Sequence, residues 1–264
     1  MVELGLIGYP LGHSFSADLF NGLFEKNGIY GHYSLFPISS IETLPEFLKS
    51  NPSLSGFNVT IPYKKAILPY LDFISEDAKE IGAVNVVKIE NVKGSGNLRL
   101  SGYNTDWKGF KESLVPHLRL GIDRALLLGT GGASKAVAYA LNNLGISVTF
   151  VSRQSNEMSS HTISYSDLNK KIVEDHRLVV NTTPLGMYPL VDTAPDFPYQ
   201  FLSNRHLCYD LVYNPEHTKF MDLSRKFGAR VKNGLEMLYL QAKASAEIWN
   251  LPTKFFYTPK LIDF

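Results

Sequence analysis

Residues 124–136 read RALLLGTGGASKA, and no other stretch limits the folds open to this chain as much. Ala125 to Leu128 is an apolar run of strand length, Gly129-Thr130-Gly131-Gly132 is a turn, and Ala133 to Leu144 carries helix formers. Strand, glycine turn and helix in that order let backbone N–H groups and a helix N-terminus face a pyrophosphate, because glycine has no Cβ to hold the phosphate off. A dinucleotide is the ligand this pattern predicts. Against the GxGxxG fingerprint, Gly129 and Gly131 match and Ser134 takes the third position. A glycine-rich turn that binds nothing is the competing reading of such a motif alone.

The residues after the turn narrow the choice. Gly145 ends the helix, and Ile146 to Val151 reads as the next strand of a βαβ unit. A nicotinamide site specific for a free 2′-hydroxyl places an acid about 20 residues past the first glycine. Here Val151-Ser152-Arg153 stands there instead, with no acid. An arginine suits a 2′-phosphate, so NADP is preferred to NAD; a salt-bridged surface arginine is the alternative. Residues 154–163 are polar and serine-rich and read as a loop or a short helix. Arg177 to Asn181 and Leu207 to Val212 are further strands, ending in Thr182-Thr183-Pro184 and Tyr213-Asn214-Pro215. Three strands thus present polar ends at one rim. Helix Phe220 to Phe227, strand Ala229 to Lys232 and a long helix from Gly234, interrupted by polar Gln241, complete this half.

The chain has 264 residues, enough for two ordinary domains or one large one. A net charge of +1 and a pI near 7.8 leave no bulk electrostatic attraction for nucleic acid or an acidic membrane. A small-molecule substrate is the expectation. The single cysteine, Cys208, excludes an internal disulfide and a cysteine-cluster metal site, lies in an apolar run as an inert thiol, and suits a reducing cytosol. The first residues lack a basic n-region and an apolar h-region, and no run approaches the length of a membrane span. A cytoplasmic protein without metal, acting as monomer or homodimer, is expected.

In the first hundred residues, Val2 to Ile7 reads as a strand, and Ser16 to Lys26 as a helix with Ser16 as its natural N-cap, which leaves Ser14 harder to explain. Tyr33 to Ile38 is a strand and Thr43 to Ser50 a helix. In SGFNVTIPYKK, Phe57, Val59 and Ile61 alternate with Asn58 and Thr60 before Pro62 opens a helix. Lys64 and Lys65 then fall in its first turn, where the macrodipole opposes a cation by up to about 1 kcal/mol and favours proton exchange near neutral pH. Solvent exposure is the bland reading of both, and the preferred one for Lys65. Ile74 to Ile81 reads as helix, Val84 to Ile89 as a strand interrupted by Asn85, which either ties backbone together or faces a ligand. Residues 91–97 form a hairpin loop before strand Leu98 to Tyr103. Helix Trp107 to Leu118 begins with Thr105 as N-cap and Asp106 in its first turn, a complete capping explanation for both. It bridges two domains, with the boundary near residue 104 and a ligand cleft expected between them.

In order, GHSFS, GFNVTIPYKK, GAVN, GYNTDWKGF, LLLGTGGASKA, NTTPLGM, YDLVYNP and NGLEMLYLQA resemble the shikimate dehydrogenase family over nearly the whole chain. The resemblance implies an α/β enzyme that reduces 3-dehydroshikimate to shikimate with NADPH, a step toward aromatic amino acids. It implies a substrate-binding domain, 1–104 joined by 236–264, and a Rossmann-type, doubly wound cofactor domain, 105–235, with the cleft between them. By resemblance Ser14 and Ser16 hold the substrate carboxylate, Asn58, Thr60, Asn85 and Gln241 meet its hydroxyls, and Tyr213 lies nearby. Lys64 and Asp106 match the catalytic pair. Cofactor contacts fall on Gly129, Thr130, Gly131, Gly132, Ala133, Ser152, Arg153, Thr182, Leu211 and Gly234. One departure stands out: where the family carries an NRTxxR-like run, this chain keeps Arg153 and puts Glu157 at the second arginine. Quinate/shikimate dehydrogenases using NAD or NADP share these motifs, and a catalytically silent shikimate-binding sensor is the alternative from another class.

Overall fold

The computed structural model describes all residues except 13, 93–97, 154–160, 255 and 257–264. It divides into two compact units, Met1–Thr105 together with the segment from Gln241, and Asp106–Leu240.

The first unit runs β1 (Val2–Gly8), α1 (Phe15–Lys26), β2 (Gly31–Pro37), α2 (Leu44–Ser50), β3 (Leu54–Val59), α3 (Tyr63–Ala66), β4 (Phe73–Ile74), α4 (Glu76–Ile81), β5 (Val86–Asn91) and β6 (Leu98–Tyr103). The six strands form one sheet in the order β2-β1-β3-β5-β6-β4. β1 is parallel to β2 and β3, and β5 is antiparallel to β3 and β6. Alternation along the strands explains why both faces are covered. Ile7, Phe57, Val59 and Val87 pack under α2 and α4 with Leu44, Leu48 and Ala78. Leu4, Leu6 and Val86 pack on the other side with Phe20, Leu23 and Phe24 of α1.

The second unit contains α5 (Asp106–Leu114), β7 (Arg124–Leu128), α6 (Gly132–Asn143), β8 (Ser147–Ser152), β9 (Thr162–Ser164), α7 (Lys170–Asp175), β10 (Leu178–Asn181), β11 (Leu207–Asp210), α8 (Lys219–Lys226) and β12 (Arg230–Lys232). All pairs are parallel, in the order β12-β11-β10-β7-β8-β9. Counted from β7 this is 3-2-1-4-5-6 read from the far edge, the doubly wound dinucleotide-binding order. Ala125 and Leu127 of β7 face α5 and α6, whereas Leu126 and Leu128 face α7 and α8. A strand buried on both faces must be apolar throughout, which accounts for the run ALLL. The last helix, α9 (Leu235–Ile248), has Leu235 to Leu240 in the second unit and continues into the first. There Ala242, Ala246 and Trp249 join the α1 face, and Trp249 Nε1 donates to Val87 O at 3.0 Å.

Several elements differ from the sequence reading. The helix expected from Ile74 begins at Glu76, because Ile74 pairs with Gly102 as strand. The helix expected to reach Leu118 stops at Leu114, where Pro116 lies two residues on and the chain continues as a 3-10 turn. Thr162 and Ile163, read as loop, form an edge strand on β8. Ile61 is 71% exposed, so the alternation of β3 ends at Val59.

Candidate active site

In the second sheet the strand order reverses between β7 and β10, the place where open α/β sheets bind ligands. Gly129 follows β7 with φ +110°, a conformation L side chains rarely adopt. A Cβ on it would lie 3.0 Å from Thr182 Oγ1. Thr182, following β10, donates from its backbone N and its Oγ1 to Leu128 O at 3.0 and 2.8 Å. The two turns therefore share one fixed geometry. Gly131 precedes α6 without a side-chain cap, and a Cβ on Gly131 or Gly132 would meet nothing within 4 Å. Bare backbone at the positive end of a 12-residue helix fits the pyrophosphate of a dinucleotide. Ser134 settles the irregular third position: it is fully buried and donates to Gly131 O at 2.6 Å, bracing the turn from within.

Ser152 closes β8 in a buried setting and Arg153 follows exposed. Among the described residues no carboxylate is ion-paired with Arg153. Its charge opposes the burial that pushes the Tyr165 phenol up to about 12, which places it beside β9. Glu157 lies outside the described residues. Leu211 follows β11, and the Leu211 carbonyl would sit 2.1 Å from a Cβ on Gly234. Glycine at 234 therefore has a packing reason in the close approach of two backbones. Tyr213 is half-buried, and burial raises its phenol above the ordinary value. Gly129 to Ala133, Ser152, Arg153, Thr182 and Leu211 all stand at the C-terminal edge of one sheet.

In the first unit the structure reverses one assignment. Ser14, not Ser16, is the N-cap of α1: its Oγ accepts from Ser16 N at 3.3 Å, and Ser16 lies in the first turn. The helix carrying Lys64 is a single turn of four residues, with Pro62 before it rather than inside it. One turn cannot sum to the macrodipole expected at Lys64. What fixes Lys64 is its backbone. Thr60 N donates to Ile7 O at 2.9 Å, Tyr63 N to Thr60 O at 2.9 Å, and Val84 N to Lys64 O at 2.8 Å, which lash the turn to β1 and to the segment leading into β5. Lys64 is half-buried and Lys65 exposed.

Asn85 ties backbone together through Thr105. Its Oδ1 accepts from Thr105 N at 2.7 Å and its Nδ2 donates to Thr105 Oγ1 at 3.0 Å. Asn58 is 7% exposed and engaged from both ends, accepting from Tyr33 Oη at 2.8 Å and donating to Asn85 O and Ser245 Oγ at 3.1 and 3.3 Å. Ser245 Oγ also meets Thr105 Oγ1 at 3.1 Å and donates to Gln241 O at 2.8 Å. Thr105, expected as a helix cap, is thus the link between Asn85 and α9, immediately ahead of Asp106. Asp106 opens α5 and is 7% exposed. Nothing in the local sequence pattern distinguishes Tyr33 or Ser245 from core and helix filler; only the fold brings them to Asn58. Asn181 and Asp210 carried a signal, since each closes an apolar strand run and a buried polar group must be paired.

Residues 6–87 match the family model of the shikimate dehydrogenase substrate binding domain. A Methanococcus maripaludis protein named shikimate dehydrogenase (NADP(+)) is 41% identical over 260 residues, covering 93% of this chain and 90% of that protein. The shikimate 5-dehydrogenase of Thermus thermophilus, solved in complex with NADP(H) and shikimate, is 32% identical with TM-score 0.82, covering 96% of this chain and 95% of that one. A quinate dehydrogenase of Corynebacterium glutamicum in complex with NAD is 26% identical with TM-score 0.81, covering 94% and 93%. With identity of this level running through both units, over a sheet order and a glycine turn suited to a dinucleotide, the chain belongs to the shikimate dehydrogenase family.

Proposed function

We propose that this protein interconverts 3-dehydroshikimate and shikimate with NADP(H), serving aromatic amino acid synthesis. The observation that carries this is the 41% identity, across 93% of the chain, to a relative named for that activity and cofactor. The unit whose residues match the substrate-binding model takes the substrate, and the unit with the doubly wound sheet takes the cofactor. Gly129 to Ala133 seat the pyrophosphate, with Ser152, Thr182, Leu211 and Gly234 around it. Arg153, exposed and unpaired with any described carboxylate, takes the 2′-phosphate through charge-assisted hydrogen bonds.

NADPH, when bound, supplies the hydride that reduces the substrate's carbonyl carbon. The chain's own part is to place that carbon and to protonate its oxygen. Ser14 and Ser16, two residues apart at the start of α1, hold the carboxylate. Thr60, Asn85, Gln241 and Tyr213 orient the ring hydroxyls, and Asn58 is a positioning residue for them, its amide being spent on Tyr33, Asn85 and Ser245. Negative charge develops on the carbonyl oxygen as hydride arrives, and Lys64 Nζ delivers the proton there. Asp106, next in the chain after Thr105, is assigned the orienting of the proton donor and of a substrate hydroxyl. Cys208 takes no part: it is fully buried, and burial pushes its thiol up to about 12. A reducing cytosol suits that thiol, and among the described residues no helix is long and apolar enough to cross a membrane.

The test is a panel of kcat/KM for shikimate and quinate, each with NADP+ and NAD+. Shikimate with NADP+ is expected to dominate. A preference for quinate or NAD+ would move the chain to the neighbouring quinate-type activity, and shikimate binding without turnover would make it a sensor.

A further inference from the structure

Beneath the cofactor rim lies a buried polar assembly that the reaction chemistry does not use. Asn181, Asp210 and Thr218 are each 0% exposed. Asp210 Oδ1 accepts from Asn181 Nδ2 at 2.9 Å and from Val212 N at 3.0 Å, and Oδ2 accepts from Thr218 Oγ1 at 2.5 Å. Asn181 reaches the other way, its Oδ1 accepting from Thr183 N and Thr183 Oγ1 at 3.0 and 2.6 Å and its Nδ2 donating to Leu185 O at 3.3 Å. Thr218 also caps α8, accepting from Met221 N at 3.3 Å. One carboxylate therefore ties together the turn after β10, the turn after β11 and the helix that comes next.

We propose that Asp210, through Asn181 and Thr218, is a positioning residue for the cofactor, holding the turns that carry Thr182 and Leu211 in their binding geometry. The proposal rests on the NADP reading above. Stability alone does not call for a carboxylate here. Among the described residues no cation is ion-paired with Asp210, and an apolar side chain would close the same strand run without the desolvation cost. What the carboxylate adds is two acceptor oxygens with fixed directions, one for each neighbouring segment. Thr182 passes the constraint on, because its bonds to Leu128 O set the space beside Gly129.

Steady-state kinetics on the full chain, with direct NADPH titration by fluorescence in the absence of shikimate, test this. Asp210→Ala and Thr218→Val are expected to raise the NADP+ KM and the NADPH Kd about tenfold, as for a buried acceptor or donor left without its partner, while the shikimate KM changes by less than about twofold. Asp210→Asn keeps the Oδ1 acceptor and presents its amide to Thr218 Oγ1, which accepts where it had donated, so it is expected to restore most of the affinity. Unchanged NADP+ KM in Asp210→Ala and Thr218→Val, or equal rises for both substrates, would overturn the proposal. Should Asp210→Ala fail to fold, the contrast between Thr218→Val and Asp210→Asn decides. A wild-type protein that binds NADPH but turns over no shikimate would sink the reaction and leave the brace to the titration; one that binds no NADPH sinks both.

Discussion

Gly234 offers a sharp test of how the cofactor turns are packed. A Cβ built there would lie 2.1 Å from Leu211 O and 2.7 Å from Leu211 C. Both are backbone atoms, so no side chain can swing away, and the gap must open by roughly 1 Å through movement of one turn against the other. Gly234 N donates to Val212 O at 3.1 Å, which pins the two segments and prevents easy separation. Forced overpacking of this kind costs about 1–3 kcal/mol. For a protein of this size each kcal/mol lowers the melting temperature by roughly 2–4 °C, so Gly234→Ala is expected to melt several degrees early. The assay is a calorimetric scan with and without NADPH, so that the transition of the cofactor unit is recognised by its upward shift with ligand. Gly132→Ala is the contrast, since its Cβ enters open space and alanine favours a helix over glycine by about 1 kcal/mol. That variant is expected to melt no earlier than wild type while its NADP+ KM rises. A Gly234→Ala protein that melts within about 1 °C of wild type would refute the close-approach argument.

Three further outcomes are expected. Lys64→Ala lowers kcat by a factor of roughly 10² or more with little change in the shikimate KM; near wild-type turnover would remove Lys64 as the proton donor. Arg153→Ala raises the KM for NADPH far more than for NADH, and equal effects on the two would end its assignment to the 2′-phosphate. Burial pushes the Asp210 carboxyl up to about 6, opposed by its hydrogen bonds from Thr218, Val212 and Asn181. A raised carboxyl pKa means that the folded state favours the protonated form, so this contribution to stability is complete below about pH 4 and is lost as pH rises to about 6. Chemical denaturation across that range should therefore show wild type losing stability relative to Asp210→Asn, and a pH-independent difference would contradict the shift.

Local chemistry made much of this protein legible. The run ALLL, the turn GTGG and the helix formers behind it specified a strand, a glycine turn and a helix, because burial on two faces, freedom from Cβ and helix propensity are properties of the residues themselves. Motif order along the chain carried the family, whose relatives are named for NADP(+). Capping was less secure: Ser14 and Ser16 are both competent caps, and which one serves depends on where the preceding loop delivers the chain. A macrodipole at Lys64 required a helix of several turns, and the length of α3 is set by how its one turn is tied to Ile7 and Val84. Tertiary structure alone decided the partners of Asn58, Asn85 and Thr105 and the brace under the cofactor rim. Those hydrogen bonds join residues as far apart as Asn58 and Ser245, 187 positions along the chain. A side chain's propensity is written in its own formula, whereas the partner of a buried polar group exists only once the sheet and helices have brought two distant segments to the same place.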